Sequence, residues 1–412
     1  MGRMKVQTGL KNAGFVREKV VAAAVLAMLA APLWAQSTQT SRVYRDGNAW
    51  VEETTGTLPA GHEFRALTDM GSLQVQGSAT QVTYVVRKRS GADTEEAARK
   101  QFEQLRITAN KIGDAVVLEG HVMGRNINRL AAEFAVQIPR LTQVVRAETR
   151  GGTLSLSAIQ GMVTGMTGGG NVKLDDLAGP VKVQTGGGNM EAVNVTSDMF
   201  LQSGGGSVAV DRVSGQLMVK TGGGKIKIGT SGTATLETGG GNIDVGRCNG
   251  DLRADSGGGN LNLGDVTGSV NAETGGGNVR LSSAQGYVRV RTGGGVVELW
   301  KVGQGANVET GSGAVTVEFV GGRGQFRDSE LRTASGSMVV YLPSNLGVSL
   351  HASTELASGV GIRSDLSGLA ITSEGGQYGP KSMFAEGQLN GGGPSLRVRT
   401  AMGQIEFKRS QQ

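Results

Sequence analysis

The chain has 412 residues, of which 69 are glycine, more than twice the share of about 7% in ordinary proteins. Glycine recurs at no three-residue interval and only 7 prolines are present, which excludes collagen, while 38% hydrophobic against 18% charged residues excludes a solvated disordered polymer. The net charge of +6 invites a nucleic-acid or anionic-membrane reading, and aromatics at 4% leave small aliphatic side chains to fill any core.

The location of the charge removes that reading. Arg3, Lys5, Lys11, Arg17 and Lys19 against Glu18 place +4 of the +6 in the first 19 residues, so residues 36–412 keep only +2 and no nucleic-acid partner is expected. The basic segment precedes an apolar run from Val20 to Leu33 and then Trp34-Ala35-Gln36. A basic start, an apolar stretch of this length and a small residue before polar sequence make a secretory signal peptide over 1–35, cleaved after Ala35, with retention as an anchor as the alternative. No other run is long enough to span a membrane. The single cysteine, Cys248, allows no internal disulfide.

Residues 36–148 are expected to form an N-terminal cap, with strands at Val82–Lys88, Ala115–Leu118 and Ala132–Ile138 and one helix over about 93–107. Asp93 is placed to cap that helix with Glu96 three residues on, and Ala98, Phe102 and Leu105 share a face. Met70-Gly71-Ser72-Leu73-Gln74-Val75 reads as a weak early copy of the unit that recurs through 149–320, which suggests that coils already begin within this cap.

From 149 to 320 the chain is a repeat. The string T/S-G-G-G begins at Thr167, Thr185, Ser203, Thr221, Thr238, Ser256, Thr274 and Thr292, with weaker copies at Thr149 and Thr310; the intervals are all 18 except one of 17 between Thr221 and Thr238. Apolar residues stand five and seven places after each Thr/Ser, as in Val172 and Leu174, and again four and two places before the next, as in Val181 and Val183. Alternation over a short run is the strand signature, so each unit holds two short strands between glycine corners, the second corner at Gly179, Gly215, Gly232, Gly250, Gly268 and Gly286. Such a unit buries its apolar side only by stacking on its copies, which predicts an all-β fold: a parallel β-solenoid of 18-residue coils, right-handed by the general chirality of crossovers. A hairpin meander of the same period is the rival. Residues 321–412 keep the vocabulary with looser spacing, including strands at Met338–Leu342 and Ile405–Lys408, and read as irregular C-terminal coils and a cap.

The repeated residues read as structural. Gly168, Gly169, Gly170, Gly186, Gly187 and Gly188 lead into strands and recur, unlike a phosphate loop, so they are expected to supply positive φ at corners, and Val at Gly187 or Gly205 is expected to destabilise strongly. Parity points the Thr/Ser column inward, where its hydroxyls satisfy corner backbone and form no ice-binding face. Asn171, Asn189, Asn242, Asn260 and Asn278 follow the glycines as corner residues that tolerate left-handed backbone or stack in ladders. One Asp in eight, Asp244, at the position six after Thr/Ser excludes a calcium ladder, and the three histidines have no metal spacing. No metal or cofactor is expected. Cys248 falls in register with Leu177, Val195, Val213 and Val302 and reads as a small buried hydrophobe. On the outward column, Glu237, Asp255 and Glu273 are adjacent carboxylates at a separation close to that of retaining glycosidases, which keeps a glycan-active enzyme as an alternative.

Asp46-Gly47, Gly71-Ser72-Leu73-Gln74-Val75-Gln76-Gly77, Ile138-Pro139-Arg140, the serial T-G-G-G-N units, and Leu389-Asn390-Gly391-Gly392-Gly393-Pro394 before Gly403-Gln404-Ile405 succeed one another in an order that resembles a group of bacterial exported β-strand-repeat proteins with adhesin-like names. The resemblance implies periplasmic or surface placement and a binding or structural role; it implies no catalytic residues. The expected function is a non-enzymatic, exported solenoid that binds a cell-envelope or surface glycan, other polymer or protein, or alternatively assembles end to end.

Overall fold

The computed structural model describes residues 39–124, 129–320, 325–357, 361–375 and 381–410; the expected signal segment lies outside them. Each 18-residue unit forms one coil of two strands, for example Val172–Leu177 and Val181–Thr185. The first strand of every coil joins one sheet and the second joins another, and in 149–320 all neighbours within each sheet are parallel with register one repeat apart, as in Val172↔Met190 and Val181↔Met199. Each sheet contains 18 strands among the described residues. This is the expected β-solenoid, and the hairpin meander is excluded for these coils.

The core follows from parity. Val172, Leu174, Leu177, Val181 and Val183 are each at most 3% exposed, and the residues at the same positions of the other coils form one continuous apolar column between the sheets. Cys248 is fully buried in the row Ser231, Cys248, Val266. Two consecutive inward residues of the first strand are separated by an extra one, which turns the strand at a bulge. At Ala158, Asp176, Asn194 and Lys301 that extra residue is left-handed, with φ of 50–57°. In three central coils the residue one place earlier is Gly229, Gly246 or Gly264, and the residue after it is not left-handed. The 17-residue coil loses its residue in the corner between Ser231 and Ala234, and both of its strands keep register with their neighbours.

The ends are built differently. The early copy is a true coil: Leu73 and Val75 pair with Leu154 and Leu156, and the hydroxyl of Thr149 donates to the carbonyl of Gly71 at 2.8 Å. Beyond it, antiparallel strands at Thr40–Asp46, Ala49–Leu58, Val82–Ser90 and Leu130–Pro139 extend the first sheet. The helix is shorter than expected, Glu95–Phe102, and Thr94 caps it in place of Asp93, its Oγ1 accepting the Ala97 N–H. Leu105 is buried but begins the strand Leu105–Ile112, because a helical face cannot continue past the turn that feeds this strand.

At the C-terminal end the coils stack out of chain order. The strand Ser329–Ser335 pairs with Ser395–Met402, which in turn pairs with Val348–Ala357. The coil at 395–409 is thus inserted beneath the coil that precedes it in sequence. An antiparallel strand at Lys381–Leu389 and an exposed edge strand at Ala370–Glu374 close the second sheet. Ser37–Gln412 forms one compact unit. No helix of the described residues is long and apolar enough to cross a membrane.

Candidate ligand-binding groove

The triple-glycine corner determines the surface beside it. The buried Thr/Ser hydroxyl ties two coils together: Thr185 Oγ1 donates to the Gly170 carbonyl at 2.8 Å and accepts the Gly188 N–H at 3.1 Å, and the same pair of bonds recurs at Thr167, Ser203, Thr221, Thr238, Ser256, Thr274 and Thr292. The inward parity read from the sequence is borne out, with these residues at most 7% exposed.

The glycines act through space and not through φ. None of Gly168, Gly169, Gly170, Gly186, Gly187 or Gly188 has a left-handed φ. A Cβ on Gly186 would collide with the Gly168 carbonyl oxygen, and one on Gly188 with that of Gly170, both well inside 3.0 Å; Gly168 and Gly170 meet Arg150 and Gly152 in the same way. The middle glycines, Gly169, Gly187 and Gly205, have nothing within 4 Å of such a Cβ. The expected strong effect of Val at Gly187 or Gly205 therefore has no steric basis: the corner is tight at its first and third glycine and open at its second.

The asparagines also depart from the left-handed expectation and form a side-chain ladder. Asn171 Oδ1 accepts the Asn189 N–H at 2.9 Å, Asn189 Oδ1 accepts that of Ser207 at 2.9 Å, and Asn242, Asn260 and Asn278 serve Asn260, Asn278 and Val296 in turn. Each ties its corner to the next coil on the exposed side.

With no side chain at the first glycine of each corner, the outer surface of the second sheet is hollowed. A groove of about 1130 Å³ runs along it. Its floor is the buried Thr/Ser column and glycines from Gly204 to Gly311, and its wall is the outward residue before each Thr/Ser: Gln202, Lys220, Glu237, Asp255, Glu273, Arg291 and Glu309. These are seven successive rungs, a length of roughly 30 Å at the ~4.8 Å strand spacing.

The charges of the wall are interlocked. Lys220 Nζ lies 2.8 Å from Glu237, Arg253 Nε 2.7 Å from Asp255, and Arg291 3.7 and 3.8 Å from Glu273 and Glu309. Glu237, Asp255 and Glu273 stand on consecutive rungs. Burial, reinforced by Glu273 and Glu237, pushes the Asp255 carboxyl above the usual carboxylate range against the pull of Arg253, and Asp255 Oδ1 is buried without a hydrogen-bond partner. Among the described residues no group of three His, Cys, Asp or Glu side chains is placed to hold a metal ion.

The outward column was legible from sequence; the groove was not, because its depth comes from close stacking of glycine corners. Arg253 sits two residues before Asp255, on the same face of its strand, so its pairing was open to a parity reading.

No protein-family model matches the chain, and no curated protein matches it. Among solved structures it is similar to a candidate cell adhesion protein from Clostridium sporogenes ATCC 15579, at 11% identity over 91% of this chain and 100% of that one, with a TM-score of 0.17. A candidate lipid binding protein from Parabacteroides distasonis ATCC 8503 covers 72% of this chain and 98% of its own at 12% identity and a TM-score of 0.26. A candidate adhesin from Bacteroides fragilis NCTC 9343 covers 66% and 97% at 14% identity and a TM-score of 0.24. TM-scores of this size assign neither fold nor function, and the family resemblance rests on its sequence motifs.

Proposed function

We propose that the chain is an exported, non-enzymatic binding protein whose second-sheet groove holds an extended polymer of the cell envelope or surface, a glycan in the first instance. The groove carries this reading: it is continuous over seven rungs, floored by glycine and the Thr/Ser column, and walled by both hydrogen-bond donors and acceptors. Sugar hydroxyls donate to Glu237, Glu273 and Glu309 and accept from Gln202, Lys220 and Arg291. Weak contacts repeated at each rung add up along a linear ligand. Export is supported by the leader-like sequence of residues 1–35.

Glycan-array binding of the full chain tests the reading. Binding to one class of linear glycan that is lost when Glu237 and Glu273 become Gln supports it; no binding to any glycan or envelope polymer removes it. Asp255, its carboxyl raised by burial and flanked on adjacent rungs by Glu237 and Glu273, favours a second reading, a glycan-cleaving enzyme, since neighbouring carboxylates in a groove are what such chemistry uses. Release of shorter products from a bound glycan, abolished by Asp255→Asn with binding retained, would establish it.

A further inference from the structure

Next to the groove, on the same face, lies a separate cavity of about 440 Å³ lined in part by Asn271, Tyr287, Arg289 and Arg327 and sharing Arg253 with the groove. Its cations differ from those of the groove. Arg253 and Arg291 are each held by carboxylates. Arg289 forms no ion pair or hydrogen bond among the described residues, and the Arg327 guanidinium lies 5.0 Å from the Tyr287 ring centroid with no carboxylate partner there. Asp251, an acid on the cavity wall, accepts the Ser269 N–H at 2.7 Å and forms no ion pair with Arg289 or Arg327 among the described residues.

The wall mixes apolar residues such as Leu252 and Val270 with polar side chains held in place by the sheet. Arg253, Asn271 and Arg289 occupy successive rungs, and Asn271 Oδ1 is buried without a partner. Tyr287 is anchored by its hydroxyl, which donates to the Asp328 carbonyl at 3.0 Å, so its ring stays in place beneath Arg327. Two guanidinium groups facing one cavity repel each other unless an anion lies between them. Guanidinium is also the group that matches the paired oxygens of a carboxylate or sulfate.

We propose that this cavity binds an acidic substituent, carboxylate or sulfate, of a glycan lying in the adjacent groove. The inference rests on the groove reading for the polymer and adds the chemical class of its side group. The groove-wall carboxylates beside it already have cationic partners: Asp255 pairs with Arg253 at 2.7 Å, Glu237 with Lys220 at 2.8 Å, and Glu273 lies 3.7 Å from Arg291.

The test measures binding of the full chain to three labelled oligosaccharides: a tetra-galacturonate, its fully methyl-esterified neutral form, and a sulfated tetrasaccharide. The acidic probes should bind at least about ten-fold more tightly than the neutral one, equivalent to ~1.4 kcal/mol. Arg289→Gln with Arg327→Gln should remove that preference and leave the melting temperature unchanged, and Lys at both positions should restore part of it. Whether the uronate or the sulfated probe gains more identifies the source of the anion. Equal binding of acidic and neutral probes, or a preference that survives the double substitution, overturns the inference while leaving the groove reading intact. Binding of the neutral probe that is insensitive to Glu237→Gln and Glu273→Gln overturns the groove reading instead, and absence of binding by all three overturns both.

Discussion

The corner glycines yield a prediction that distinguishes neighbouring residues of identical type. Gly187 and Gly188 are adjacent in one corner, yet a Cβ on Gly188 would lie well inside 3.0 Å of the Gly170 carbonyl oxygen, and one on Gly187 would have nothing within 4 Å. Relieving the Gly188 clash requires the two coils to separate locally by on the order of 1 Å, to reach the ~3.3 Å of an ordinary C–H···O contact. That same carbonyl accepts the Thr185 hydroxyl at 2.8 Å, so the movement also breaks a buried bond. Overpacking strain of about 1–3 kcal/mol and a lost hydrogen bond of about 1 kcal/mol together destabilise Gly188→Ala by roughly 2–4 kcal/mol. Gly187→Ala should change stability by no more than about 0.5 kcal/mol, or stabilise slightly by restricting the unfolded chain. Urea unfolding followed by far-UV circular dichroism reads the difference, which at a slope of about 1–3 kcal/mol per molar displaces the Gly188→Ala midpoint downward by on the order of 1 M relative to Gly187→Ala. Equal midpoints for the two variants would refute close stacking as the reason for the glycines.

Ser231 is fully buried with an unpartnered Oγ in a row that otherwise holds Val213, Cys248 and Val266, so Ser231→Val should raise stability by about 1 kcal/mol in the same assay. Thr221→Val keeps the shape and removes both the bond to the Gly206 carbonyl and the acceptor for the Gly224 N–H; the expected loss is about 1–3 kcal/mol, and Thr221→Ser should recover most of it in thermal melts. Hydrogen bonds from Arg87 and Arg42 hold the Glu53 carboxyl below its usual range, so its contribution is full above the unfolded-state value and is lost as pH falls through the lower folded value; Glu53→Gln should flatten that acid limb of the stability profile. Asp255 has the opposite sign, its folded value raised, so Asp255→Asn should raise the melting temperature at neutral pH and bring no gain in acid.

Most of the inward half of the molecule was legible because it obeys one rule per position. Val172, Leu174, Val181, Val183 and Thr185 alternate, so parity alone orders them and predicts which are buried. What escaped the sequence reading lies where the chain leaves that rule. The left-handed bulge at Asp176 and Asn194 adds one residue without a glycine to mark it, and the hint that Asn or Asp tolerates that conformation was assigned to the corner asparagines instead. The glycine triplet was taken for a conformational device because composition shows only that a side chain is missing, and the reason, a carbonyl of the coil 18 residues earlier, is a contact between coils. At the C-terminal end Thr333, Thr400 and Thr354 repeat the corner bond to Gly313, Gly336 and Gly403, but in an order that the chain does not follow, so no period reveals it.

The same division explains why the site was harder to read than the fold. Inward positions are constrained by every neighbouring coil, whereas an outward residue touches only the rungs on either side and can change with little effect on stability. The wall Lys220, Glu237, Asp255, Glu273, Arg291, Glu309 has no chemical period although its spacing is regular. Its sequence of charges is therefore not required by the solenoid and is free to record a ligand. The cavity at Arg289 goes further, since it gathers Asn271 and Arg289 from regular rungs, Tyr287 from a corner and Arg327 from the irregular segment after the repeat. Four residues drawn from a repeat and its interruption form a site only after folding. A break in the period next to a charged outward column is thus the place in such a chain where a search for specificity should begin.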